Sequence, residues 1–176
     1  MARKQRAKRQ SKKVFLFIVE GSTEENYLSC LKRLFRRDAE IENCRGGNAR
    51  GVMMKARQLI SKHDDYFAGY VVWFDRDRYS SERDADLKHS IEAKPHAEIV
   101  LSEPCIENWL LAHFQPTLDR FSSECSQCGE ALRRYVPDYV KNDLDILKKF
   151  IDLDRVSAAI IHYPEVGRIP QHYFST

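Results

Sequence analysis

Two apolar runs in this chain end on acids. VFLFIV, residues 14–19, stops on Glu20, and GYVVWF, residues 69–74, stops on Asp75-Arg76-Asp77. Carboxylates two residues apart in extended backbone point to the same side. Uncompensated anions gathered at one edge repel, so a hard divalent cation is their natural partner. Oxygen-only ligation suits Mg²⁺ or Mn²⁺, with water and a substrate phosphate completing the shell. Glu24 follows Glu20 by four residues, and Glu107 lies in SEPCIENW together with Glu103; all three could join the same edge. Taken singly, each is an ordinary surface acid, and Glu24 also suits a helix N-terminus for its charge alone. An acid closing one buried strand and a DxD closing another form the more specific pattern.

Such a cluster needs strands that end together. Residues 14–19 and 69–74 are continuous apolar runs rich in β-branched and aromatic side chains, as expected of strands buried on both faces. Residues 39–44 form a weaker strand and residues 97–101 a fourth. Between them, Ser22-Thr-Glu-Glu25 fits a capping box in which Glu25 serves the helix start, and Tyr27, Leu28, Leu31, Leu34 and Phe35 fall on one stripe. Residues 52–63 and 80–93 read as further helices, and a short one follows Pro104. Strands alternating with helices imply βαβ crossovers, a mainly parallel sheet of about four strands, and helices on both faces. Ligands of such sheets bind beyond the carboxyl ends of the strands, where the strand order reverses. From residue 116 the pattern turns helical, over 122–135 and 142–151, with 156–161 either helix or strand. The expected organisation is a basic, disordered tail (1–13), an α/β domain (14–118) and a mainly helical extension (119–176).

The chain has 176 residues and a formal net charge of +3, but the charge is unevenly spread. Seven of its 29 Lys/Arg lie in MARKQRAKRQSKK, which leaves 22 basic residues against 26 acidic ones in the body. Lys12, Lys13 and their neighbours could dock on phosphate backbones or simply solubilise the terminus. No apolar run approaches the ~20 residues of a membrane helix, and no signal-peptide pattern follows the basic start, so a soluble, cytoplasmic protein is expected. Five irregularly spaced cysteines argue against a disulfide framework. Cys125-Ser-Gln-Cys128 resembles half a zinc site, but no second closely spaced pair completes it. His113, Trp73 and Trp109 sit on apolar stretches and read as core. A phosphate-binding GxxxxGK[ST] loop is missing, which excludes an ATPase motor of that type.

With Glu20 in VEGSTE and Asp75 and Asp77 in FDRDRY, the pattern resembles the Toprim domain of primases, topoisomerases and OLD-family nucleases. The closer resemblance is to the RloB-like proteins, through VEGSTEENY, VVWFDRD, SEPCIENWLLAHF and, more loosely, Tyr139-Val-Lys141. These segments run in family order over residues 14 to about 150, and IENWLLAHF is the most discriminating of them. One departure is Glu103, where the family pattern has Asn. The resemblance implies a Toprim-like Rossmannoid fold and metal-dependent cleavage of a phosphodiester in DNA or RNA. Asp75, Asp77 and Glu107 would then help hold the metal, with Glu20 and Glu24 at a second position. Glu20 would alternatively act as general acid or base. Lys141 would reach the scissile phosphate or leaving group, and Arg76 and Arg78 would clasp phosphate or neutralise the neighbouring acids. A separate ABC-type ATPase partner and a bacterial anti-phage, abortive-infection role are also implied. The oligomeric state, homo-oligomers included, stays open.

Two other functions compete. A DxD after a strand also marks haloacid-dehalogenase-like phosphomonoesterases, but those carry the motif on the first strand, which here ends on Glu20. A non-catalytic Toprim module that binds nucleic acid or an ATPase without cutting is the third reading. A topoisomerase would need strand-passage domains for which 176 residues leave no room.

Overall fold

The computed structural model describes residues 13–63, 66–76, 79–141, 143 and 145–170. Asp77, Arg78, Lys12, most of the expected basic tail and the start of the expected 142–151 helix lie outside these residues. Four strands, β1 (Phe15–Val19), β2 (Glu40–Asn43), β3 (Gly69–Asp75) and β4 (Ala97–Ser102), form one sheet in the order β2-β1-β3-β4. All three pairings are parallel. The helices α1 (Ser22–Phe35), α2 (Ala49–Lys62) and α3 (Ser81–Glu92) are the crossovers, followed by α4 (Ile106–Leu111), α5 (Cys125–Arg133), α6 (Ile146–Phe150) and α7 (Leu153–His162). This is a Rossmann-like α/β architecture with the expected helical C-terminal part. The undecided stretch at 156–161 is helical, within α7.

The continuous apolar runs are explained by two cores, one on each face of the sheet. Phe17, Val19, Val71, Trp73 and Val100 point to one face, where they meet α1 and the helices from α4 onward. Leu16, Ile18, Tyr70, Val72, Phe74 and Ile99 point to the other, against α2 and α3. The period-two alternation of a strand therefore buries every residue of β3. Each large side chain so buried contributes about 1.5–3 kcal/mol. Gly69 opens β3 because a Cβ there would lie 2.8 Å from the His96 carbonyl oxygen and would overlap the edge of the Phe15 ring.

Strand order positions the site. The chain leaves β1 toward β2 on one side and later enters β3 on the other, so the order reverses between β1 and β3. Their carboxyl ends are tied directly, since Glu20 N–H donates to the Trp73 carbonyl at 3.1 Å.

One expectation about α1 needs correcting. Gly21, not Ser22, is the N-cap, with extended φ of −152°, and the helix starts one residue earlier than the capping-box reading places it. The Glu24 carboxylate, not that of Glu25, accepts the Gly21 N–H at 3.2 Å. Glu25 instead accepts from Asn43 Nδ2 at 2.6 Å and links α1 to β2.

Candidate metal centre

At the β1/β3 switch the acids come from separate segments. Glu20 follows β1, Glu24 occupies the first turn of α1, Asp75 ends β3 and Glu107 occupies the first turn of α4. Glu20 Oε2 accepts the Asp75 N–H at 3.1 Å, so the carboxylate that closes β1 caps the end of β3. Asp75 Oδ1 accepts the Ile106 N–H at 2.8 Å and thereby fixes where α4 begins. The carboxylates that close β1 and β3 are thus held in place through backbone amides of the switch.

Glu107 is the most constrained of the group. It is 2% exposed. Its Oε1 receives Lys141 Nζ at 2.7 Å and the Tyr139 hydroxyl at 3.3 Å. Its Oε2 is buried without a hydrogen-bond partner among the described residues. A buried, partnerless carboxylate oxygen costs about 1–3 kcal/mol unless something satisfies it. Burial pushes the Glu24 carboxyl up to about 7, reinforced by the negative charges of Glu20 and Glu107. For Lys141, burial opposes the charge, but the hydrogen bond and charge of Glu107 outweigh it and raise the pKa. The Lys141 carbonyl in turn accepts from Thr23 Oγ1 at 3.4 Å and Asn26 Nδ2 at 3.5 Å, which anchors its loop on α1.

Beside Glu107 opens a cavity of about 480 Å³ lined by Cys125, Ser126, Gly129, Arg133, Tyr139, Val140 and Lys141. Two of its walls are cationic, and one is the start of α5. The residues present fit a divalent cation: they offer clustered carboxylate oxygens, one of which is buried with no donor among the described residues. Asp75 and Glu107, whose carboxylate oxygens lie within 4.8 Å of one another, are the acids that would hold it, and Glu20 and Glu24 stand outside that close-set group.

The other expected residues fall in different places. Glu103 does not join the acids, because it pairs with Arg76, which also stacks over Phe121 at 5.9 Å. Arg76 therefore neutralises a neighbouring acid here. Lys13 is exposed at the start of the described chain. Trp73 and Trp109 are fully buried, as expected. His113 is buried as a core residue, its Nδ1 3.1 Å from the Leu110 carbonyl and its Nε2 3.1 Å from the Tyr27 hydroxyl. Burial lowers its pKa to about 4.

Sequence reasoning missed Cys105. Its Sγ lies within 4.8 Å of a carboxylate oxygen from each of Asp75 and Glu107, while those oxygens lie equally close to one another. The neighbouring Cys128 thiol, burial and the Glu107 charge push its pKa far up. A signal was available: Cys105 follows Pro104 at the position that caps α4. Oxygen side chains dominate that position.

No helix among the described residues is long and apolar enough to cross a membrane. Comparison with curated proteins and with solved structures finds no match. The sequence model of the RloB-like proteins, in contrast, matches residues 15–162 and so spans β1 through α7. This chain belongs to the RloB-like protein family.

Proposed function

We propose that the protein is a divalent-metal-dependent nuclease that hydrolyses phosphodiester bonds in DNA or RNA. One observation carries the reading. Carboxylate oxygens of Asp75 and Glu107 lie within 4.8 Å of one another at the strand-order switch, with Glu24 and Glu20 close enough to interact through charge, against a lysine and beside a cavity with cationic walls. A nucleic-acid backbone offers what such a site lacks, an anion for the cationic walls. A bound divalent cation would neutralise charge on the phosphodiester and lower the pKa of water. Asp75 and Glu107 would hold that cation, with Glu20 and Glu24 beside them. Lys141 and Arg133 would pair with phosphate oxygens in the cavity. Membership of the RloB-like family is compatible with this activity. An ABC-type ATPase partner and a role in phage defence accompany the proposal as consequences of the earlier resemblance.

A second reading has its own support. Glu20 and Asp75 both accept backbone amides, and Lys141 already sits on Glu107, so the cluster could serve as the scaffold of a module that binds without cutting. Incubation with duplex DNA, tRNA and a chromogenic phosphomonoester, with Mg²⁺, Mn²⁺, Zn²⁺ or EDTA, separates the readings. The nuclease predicts cleaved nucleic acid only with metal, and none with Asp75→Ala. Monoester turnover alone would replace it with a phosphatase. Metal binding without cleavage of either polymer would favour the module.

A further inference from the structure

We propose that Asp75, Cys105 and Glu107 hold a thiophilic transition-metal ion of the Zn²⁺ class, through two carboxylate oxygens and one sulfur. The proposal rests on the reading that a cation binds at the β1/β3 switch, and it departs from the all-oxygen, Mg²⁺-type site expected from sequence. These three donor atoms lie within 4.8 Å of one another, and no other group of three His, Cys, Asp or Glu does so among the described residues. Ligand atoms around a zinc ion with bonds of ~2.0–2.3 Å stand roughly 3.3–3.8 Å apart, so modest side-chain rotation closes the set. The buried Glu107 Oε2, without a donor among the described residues, is an independent sign of a missing partner in the same place.

Local structure sets the donors out. Asp75 ends β3 and accepts the amide of Ile106, the residue between Cys105 and Glu107. That bond holds the first turn of α4 against the end of β3. Cys105 is 1% exposed and Glu107 2%, so solvent competes weakly for either donor. Sulfur is the deciding atom. Thiolate ligands select zinc-like ions, whereas Mg²⁺ takes oxygen and holds its waters. Three protein ligands with a remaining open position is the pattern of catalytic rather than structural zinc. Cys125 and Cys128, on α5, adjoin the Cys105 thiol but are not part of the set of three.

Cadmium reports sulfur ligation without any nucleic acid present. Titrating the wild-type chain with Cd²⁺ should raise an ultraviolet thiolate-to-metal charge-transfer band. Cys105→Ser should abolish it, and the double variant Cys125→Ser/Cys128→Ser should keep it. Asp75→Asn and Glu107→Gln should weaken the titration. X-ray absorption on the zinc-loaded wild type, which needs no variant to fold, should show a sulfur shell at about 2.3 Å that the Cys125→Ser/Cys128→Ser variant retains. An all-oxygen shell, a missing band, or a band that survives Cys105→Ser but vanishes with the α5 cysteines would overturn the assignment. Sulfur ligation without cleavage would leave this assignment standing and sink the nuclease. Cleavage supported by Mg²⁺ with no sulfur signal would do the reverse.

Discussion

Asp84 and Glu107 are equally inaccessible to water, and they live in opposite electrostatic surroundings. Asp84, on α3, is 0% exposed and receives Arg50 at 3.3 Å, Arg83 at 3.2 Å and the Ser80 amide at 3.2 Å. Arg83 is the main reason its pKa is lowered. Every oxygen has donors, and the carboxylate ties α3 to α2. Glu107 has one lysine and one tyrosine on a single oxygen, no donor on the other among the described residues, and Asp75 and Cys105 within 4.8 Å. A buried carboxylate with a full set of donors is explained by folding. One left short, among other acids, is explained by something that arrives later.

The contrast is sharpest in activity. Glu107→Gln keeps the shape and removes the charge, so it should lower metal-dependent cleavage by roughly 10²–10³-fold. Thermal unfolding of the same variant should show the apo fold intact. Asp84→Asn should leave cleavage near the wild-type level. A reversal of those two results would break the comparison.

The pH dependence of stability comes next. The Glu24 carboxyl rises from 4.5 to about 7 on folding, so the native state keeps its proton where the unfolded chain has lost it. Its stabilising contribution is complete below pH 4.5 and is lost as pH rises through 7. Linkage puts that loss at about 3 kcal/mol. Denaturant unfolding of apo protein between pH 5 and pH 8 should show it, and Glu24→Gln should flatten the slope. His113 acts in the opposite sense. Its lowered pKa makes its contribution complete above 6.5 and lost as pH falls through about 4. The difference between wild type and Glu24→Gln isolates the glutamate.

For stability alone, Asp84→Ala should cost about 2 kcal/mol, because it strips a buried acceptor from two arginines and an amide. Urea midpoints measure it. The smallest effect is expected from Lys141→Met. Its ammonium occupies Glu107 at 2.7 Å, so its removal should tighten divalent-cation binding several-fold in calorimetry while cleavage falls. Weaker metal binding in that variant would mean that Lys141 supports the cation instead of competing with it.

Much of this was legible in the linear chain. The parallel sheet followed from apolar runs buried on both faces, and Glu20 and Asp75 stood out because such runs must stop on something polar. Glu24 and Glu25 were harder to assign, because both lie in the first turn of α1 and a one-residue shift of the N-cap exchanges their roles. Glu103 lies just before α4 and Glu107 in its first turn, yet one meets Arg76 and the other enters the site. Four residues of separation could not distinguish them before the path of the loop was known.

What the sequence determined by itself is periodic: alternating elements, their order, and acids at the carboxyl ends of two interior strands. That information is local, since side-chain period and strand length depend on neighbours in the chain. Only the tertiary structure decided which groups share a space. Asp75 meets residues 105 and 107 because β3 pairs with β4 and an amide bond fixes the start of α4. Lys141 reaches Glu107 because its loop is anchored on Thr23 and Asn26, over a hundred positions away. Burial then decided the chemistry, for a carboxylate without donors is unremarkable in water and costly in a core.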